Sequence, residues 1–247
     1  MSTKQILVTA VGVLAWVCLP AAISAEDYET LFKKCFAGGT PEQVIASCSV
    51  VISRRVADDQ DLATAFKNRG NAYDDQGNYA RALADYDRAL AINPRDADAF
   101  NSRATTYTAL NEYDRAIRDY DEAISLNPSS AIAYGNRCFA RAVVGKPEQA
   151  LGDCNEALRI KSDSAGAFAS RAFVHLKLGQ YEAAIVDYNA ELRMRPDDAY
   201  SLFGRGVAKY RKGDLRGADA DLVAAQMLKP DVAEHMARLG IEVRQGR

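Results

Sequence analysis

Histidine is nearly missing from this chain: His175 and His235 are its only two among 247 residues. A metal or acid–base centre built on imidazoles has little to draw on. No HExxH, GxSxG, Walker loop, GxGxxG or CxxCH pattern occurs either. An excess of one charge is also missing, since 31 lysines and arginines face 33 aspartates and glutamates. That balance excludes the basic stripe with interleaved aromatics of a nucleic-acid reader. Prolines number only seven, which leaves long helices uninterrupted. After Pro20 no apolar run reaches the roughly 20 residues of a bilayer span. These absences point away from an enzyme, a cofactor or metal carrier, and a nucleic-acid binder.

What is present begins with an N-terminal segment, 1–25, that reads as a secretory signal. Lys4 supplies the positive start, residues 6–19 the apolar run, Pro20 a break, and AAISA a cleavage site after Ala25. Cys18 lies in this segment, preceded by Val17 rather than the small residue of a lipobox. The expectation is an exported chain, periplasmic or secreted, with no membrane span after cleavage. An oxidising compartment gives weight to Cys35, Cys48, Cys138 and Cys154, which form two close pairs.

The strongest signal is a period of 34 residues. Pro94, Pro128, Pro196 and Pro230 lie on that grid, with Ser162 in the vacant slot. The turn residues Gly77, Asn111, Gly145, Gly179 and Gly213 share it, as do Ala82, Ala116, Ala150, Ala184 and Ala218. Between these markers, small and apolar residues recur at three- and four-residue steps, the helical period. Five helix hairpins are predicted: 63–96, 97–130, 131–164, 165–198 and 199–232. Residues 26–62 read as a degenerate hairpin with GGTPEQ as its turn, and 233–247 as a capping segment with a helix over 233–245. That makes about 13 helices.

Within the units, Gly70, Tyr73, Ala82, Tyr86, Ala89 and Pro94 occupy positions 8, 11, 20, 24, 27 and 32. Ala104, Tyr107, Ala116, Tyr120, Ala123 and Pro128 repeat them. This pattern resembles the tetratricopeptide repeat. The resemblance implies an all-α, right-handed superhelical solenoid whose concave wall binds another protein or peptide. Units three to five depart at position 11, with Arg141, His175 and Lys209.

Two further series follow the grid. Arg69, Arg103, Arg137, Arg171 and Arg205 stand at position 7, and Asp85, Asp119, Asp153, Asp187 and Asp221 at position 23. Half-buried charges are normally paired, so a structural ladder of Arg–Asp pairs is expected, within or between hairpins; a charged binding stripe is the alternative. Cys35–Cys48 and Cys138–Cys154 fall on facing helices of their hairpins and are candidates for disulfides. Buried free thiols are the alternative, and a metal site lacks a CxxC or a neighbouring histidine.

The resemblance places the binding wall at helix-A positions 2, 5, 9, 12 and 13. Here they run from polar (Lys67, Asn71, Asn101, Thr105) to apolar and aromatic (Phe139, Phe173, Leu176, Tyr200, Phe203, Val207, Tyr210). Lys67 and Asn71 match the start of the carboxylate clamp some family members carry, but Ser102, Ile132 and Asn136 depart from the rest. The expected function is an envelope scaffold gripping a peptide or helix in the groove. A periplasmic component for a small apolar ligand is the alternative. A homodimer through the same face, or burial of the apolar wall by tight curvature, would equally account for the apolar positions.

Overall fold

In the computed structural model, residues 25–54 and 58–243 are described; the signal-like segment lies outside them apart from Ala25. The described residues form thirteen helices: α1 Ala25–Ala37, α2 Pro41–Arg54, α3 Asp59–Asp75, α4 Tyr79–Ile92, α5 Ala97–Ala109, α6 Tyr113–Leu126, α7 Ala131–Val143, α8 Pro147–Ile160, α9 Ala165–Lys177, α10 Tyr181–Met194, α11 Ala199–Lys212, α12 Leu215–Leu228 and α13 Val232–Arg238. Successive helices pair as antiparallel hairpins that stack in chain order, giving an all-α superhelical solenoid.

The local chemistry of each hairpin repeats. Asp58, Asp96, Ser130, Ser164 and Asp198 cap the first helix of each unit, their side chains accepting a backbone N–H three residues on. The turn residue at Gly77, Asn111, Gly145, Gly179 and Gly213 takes a left-handed φ between 60° and 91°, which glycine adopts freely and asparagine tolerates. In the first hairpin the turn is only residues 38–40. Thr40 and Gln43 form a reciprocal capping box, and Pro41 opens α2, so PEQ belongs to the helix rather than to the turn.

Small residues allow the paired helices to close. Ala82, Ala116, Ala150, Ala184 and Ala218 are all fully buried. A methyl on Gly70 would stand 2.8 Å from the Tyr86 ring, and one on Gly206 2.9 Å from Leu222. At the junctions between units, Ala123 meets Ala133 and Ala157 meets Ala167 in small buried clusters. The corresponding pair in the last junction is Glu191 and Ser201, both buried.

The Arg and Asp series meet in every unit. Each arginine's Nε and Nη2 donate to both oxygens of the aspartate sixteen residues on, at 2.6–2.9 Å. Nη1 donates backwards to the preceding hairpin: to Ser49, Asp87, Asp121, Asn155 and Asn189 in turn, at 2.6–3.0 Å. In the first four units the guanidinium also lies over the ring three residues earlier, Phe66, Phe100, Tyr134 or Phe168, at 5.4–5.7 Å. One arginine thus fixes both the angle of its own hairpin and its register on the last. The drift at position 11 has a reason in the same place. Arg141 and Lys209 add a second cation to Asp153 and Asp221, each at 2.8 Å, and His175 stands 3.7 Å from Asp187.

The four cysteines of the described chain are fully buried and disulfide-bonded as Cys35–Cys48 and Cys138–Cys154, with Cα separations of 4.8 and 5.4 Å. Among the described residues, no helix is long and apolar enough to cross a membrane.

The C-terminal end departs from expectation. Helix α13 stops at Arg238 instead of running to 245. Gly240 takes φ +78°, its N–H bonds Ala237, and the Ile241 N–H reaches Met236 at 2.9 Å. This pairing of bonds is a Schellman stop, and it folds the apolar residue after the glycine back onto the helix's last turn. Ile241 and Met236 are both buried.

Two outcomes are expected from these contacts. Asp119→Ala should lower the unfolding free energy by about 3 kcal/mol, at the lower end for a broken buried pair because Arg103 keeps its bond to Asp87; denaturant melts that overlay the wild type would refute the ladder. Glu191 gives the second. Burial raises its carboxyl above the ordinary glutamate range, with Ser201 and Arg195 pulling the other way. The folded chain therefore holds this proton to higher pH than the unfolded chain, and stability is lost as pH rises through the raised value. Glu191→Gln should be more stable than wild type at neutral pH, with the difference closing as pH falls. A wild type that is the more stable at neutral pH would show an ionised Glu191 held by Arg195.

Candidate functional site

The helix-A faces of α3, α5, α7, α9 and α11 carry the wall positions, and the wall has three zones. The first is polar. Lys67 is spent on an ion pair with Asp96, 2.9 Å away and largely buried. Asn71 is exposed and accepts from the Tyr86 hydroxyl at 2.8 Å. Thr105 is also exposed, donates to the Asn101 carbonyl and meets Tyr120. The buried Oδ1 of Asn101 has no hydrogen-bond partner. Together with Asp74, Asp75 and Ser102, Asn71, Asn101 and Thr105 line a shallow hollow of about 310 Å³. The clamp-like pair is thus divided: Lys67 is tied to the residue that caps α5, and Asn71 alone faces the hollow.

The second zone is aromatic. Phe139 packs against Phe173, with ring centroids 5.4 Å apart, and against the edge of Tyr113 at 6.4 Å. Tyr200, 37% exposed, lies 5.0 Å from the His235 ring. Phe139, Phe173, Tyr200 and His235 wall a cavity of about 250 Å³ whose remaining lining includes Tyr188, Ser170, Ser201 and Asp198. Burial pushes the Tyr188 phenol far above its usual range and lowers His235, so Tyr188 is a neutral hydroxyl and His235 favours its neutral ring.

The third zone corrects the sequence reading. Phe173, Leu176, Phe203 and Val207, expected on an open groove, are buried at 2–6% exposure. They share one core cluster with Val232 and Met236 of α13 and with Ile241. The short α13 and the segment 239–243 cover the apolar wall of the fifth unit. Tyr210 remains half-buried. Beside the returning segment a second cavity, of about 400 Å³, is lined by Leu176, Lys177, Tyr181, Val207, Arg211 and the backbone turn at Gly240–Glu242, among others. Sequence reasoning missed Lys177 and Arg211, although both occupy wall position 13. Tyr188 and His235 were missed as well.

Among the described residues, no group of three or more histidines, cysteines, aspartates or glutamates is arranged to hold a metal ion.

Comparison with known proteins agrees with this architecture. A family model described as tetratricopeptide repeat matches residues 63–96 and 97–130, and one described as TPR repeat matches 175–213. No curated protein matches the chain. Among solved structures, a tetratricopeptide repeat protein from Parabacteroides merdae aligns with a TM-score of 0.68 at 21% identity, over 86% of this chain and 88% of its own. Pseudomonas aeruginosa pilF aligns at 0.66 and 19% identity, over 86% and 96%. YrrB, described as a TPR protein with an unusual peptide-binding site, aligns at 0.55 and 21%, over 78% and 96%. At these identities the solved structures establish the fold, and the matched repeats establish the kind of unit it is built from. The described residues fold as a tetratricopeptide-repeat solenoid.

Proposed function

We propose that the chain is a peptide-binding scaffold of an exported compartment, in which the concave wall grips an extended segment of a partner protein. The aromatic cavity bounded by Phe139, Phe173, Tyr200 and His235 takes one bulky apolar side chain of that segment, and the polar hollow at Asn71, Asn101 and Thr105 receives its backbone. The carrying observation is the cavity itself: a ring-lined recess of about 250 Å³ on wall positions of successive units. A binding surface of this kind needs a desolvated anchor pocket bordered by polar contacts. The peptide-binding site described for YrrB supports the same use of the fold. The two disulfides fit an oxidising compartment, as does the signal-like N-terminal segment.

A small apolar ligand is the second reading. The cavity favours it less, since its volume falls below the roughly 300–1,000 Å³ of pockets that enclose a whole ligand. It suits a side chain better.

The test is panning a phage-displayed random heptapeptide library on the full chain. Retained peptides should be enriched in Phe, Leu, Met or Trp. Tyr200→Ala should lower their affinity about tenfold or more while melting like wild type. Retention that is indifferent to apolar content, or unchanged by Tyr200→Ala, would refute the assignment. A self-association of the chain blocked by Tyr200→Ala would transfer the site to a dimer.

A further inference from the structure

The cations of the wall are almost all engaged. Lys67 pairs with Asp96, Arg141 with Asp153, Lys209 with Asp221 and Lys212 with Glu182. Lys177 and Arg211 differ. They lie in the last turns of helices α9 and α11 at the same repeat position, and both line the cavity of about 400 Å³. Lys177 reaches over the Phe173 ring, Nζ 5.5 Å from its centroid. It also presses against the returning chain, 3.4 Å from where a side chain on Gly240 would begin. Among the described residues no carboxylate lies within ion-pair distance of it, and burial pushes its ammonium below the usual lysine range. Arg211 donates only to a backbone carbonyl, that of Glu242, at 3.1 Å. A partly desolvated ammonium without an anion is costly, and Lys177 faces one recess together with the Arg211 guanidinium, an incomplete ion-binding arrangement.

The returning segment behaves as an incomplete occupant of this place. Ile241 supplies an aliphatic anchor against the wall and Glu242 a carbonyl for Arg211, as a bound peptide would. Its Glu242 lines the recess but forms no ion pair with Lys177.

We infer that the recess between α9, α11 and residues 240–242 is a carboxylate-binding subsite, in which Lys177 and Arg211 hold an acidic side chain of the partner peptide. The assignment rests on the peptide-binding reading for its ligand, but its chemistry stands on different residues. Charge argues for a carboxylate over a phosphate. Glu242 also lines the recess, so two cations and one resident acid leave a single positive charge to neutralise. Leu176, Val207 and Ile241 would pack the aliphatic stem below the charge, while the ammonium and guanidinium donate to its oxygens.

The experiment uses the full chain and two probes. In the first, butyrate is titrated at constant ionic strength while lysine side-chain NMR signals are followed, with butyramide as the neutral control. A saturable shift at Lys177 with butyrate, absent with butyramide and in Lys177→Met, is the expected result. No saturable response, or an equal one to butyramide, overturns the subsite. In the second, the heptapeptides retained by wild type are tested on Lys177→Met. They should be enriched in Asp or Glu and lose about tenfold or more in affinity, the effect of one charge-assisted hydrogen bond. Acid-free peptides bound equally by Lys177→Met would overturn the subsite while leaving the aromatic anchor standing. If wild type retains no peptide, the peptide-binding reading fails and the butyrate response alone decides the subsite.

Discussion

An apolar helix face has to be covered, and a two-helix hairpin is too thin to cover its own. A tandem array solves this by laying each hairpin on the last. Small residues make the contact close, as at Ala82 through Ala218. The arginine of each unit makes it specific, holding an aspartate of its own hairpin with two nitrogens and reaching the previous hairpin with the third. A dispersive contact between alanines permits sliding; a guanidinium fork does not. The curvature of the wall, and so the placing of every candidate binding residue on it, follows from that repeated geometry.

The same constraint makes the ends exceptional. The ladder's backward acceptors run Ser49, Asp87, Asp121, Asn155, Asn189. The equivalent place on α12 is Val223, and Leu239 stands where the next arginine of the series would fall. Val223 is 57% exposed and Met227 81%, on the outer face of α12. On the inner face, α13 and Ile241 cover the fifth unit, and the binding wall loses its apolar far end to the core. What remains open is the polar hollow, the aromatic cavity and the recess beside Lys177. The polar-to-apolar gradient in the sequence is therefore two things at once: a change of surface chemistry over the first units, and a change from surface to interior over the last.

Much of this was legible in the residues. Prolines, turn glycines and alanines on one period define the hairpins, because each answers a local requirement: helix exit, left-handed turn, close crossing. The Arg and Asp series were legible for the same reason. The third arm of each arginine was not, since its acceptors vary between Ser, Asp and Asn. Nor was the reason for the basic drift at position 11, which makes sense only beside the aspartate it supports. The burial of Phe173 and Phe203 depends on a chain reversal at Gly240, and helical periodicity over 233–245 carries no sign of a tail that turns back. Glu191 was overlooked because a repeat reading attends to what recurs, and this carboxyl is the exception in a row of alanines at Ala89, Ala123, Ala157 and Ala225.

The central claim is that the chain covers its own last repeat from the inside, leaving a wall that is open in part. Methyl NMR on the full-length protein tests it most directly. Nuclear Overhauser contacts from the Ile241 methyls to those of Leu176 or Val207 are the expected result. An Ile241 whose methyls show no contact with α9 or α11 and are reached freely by a soluble spin label would contradict it.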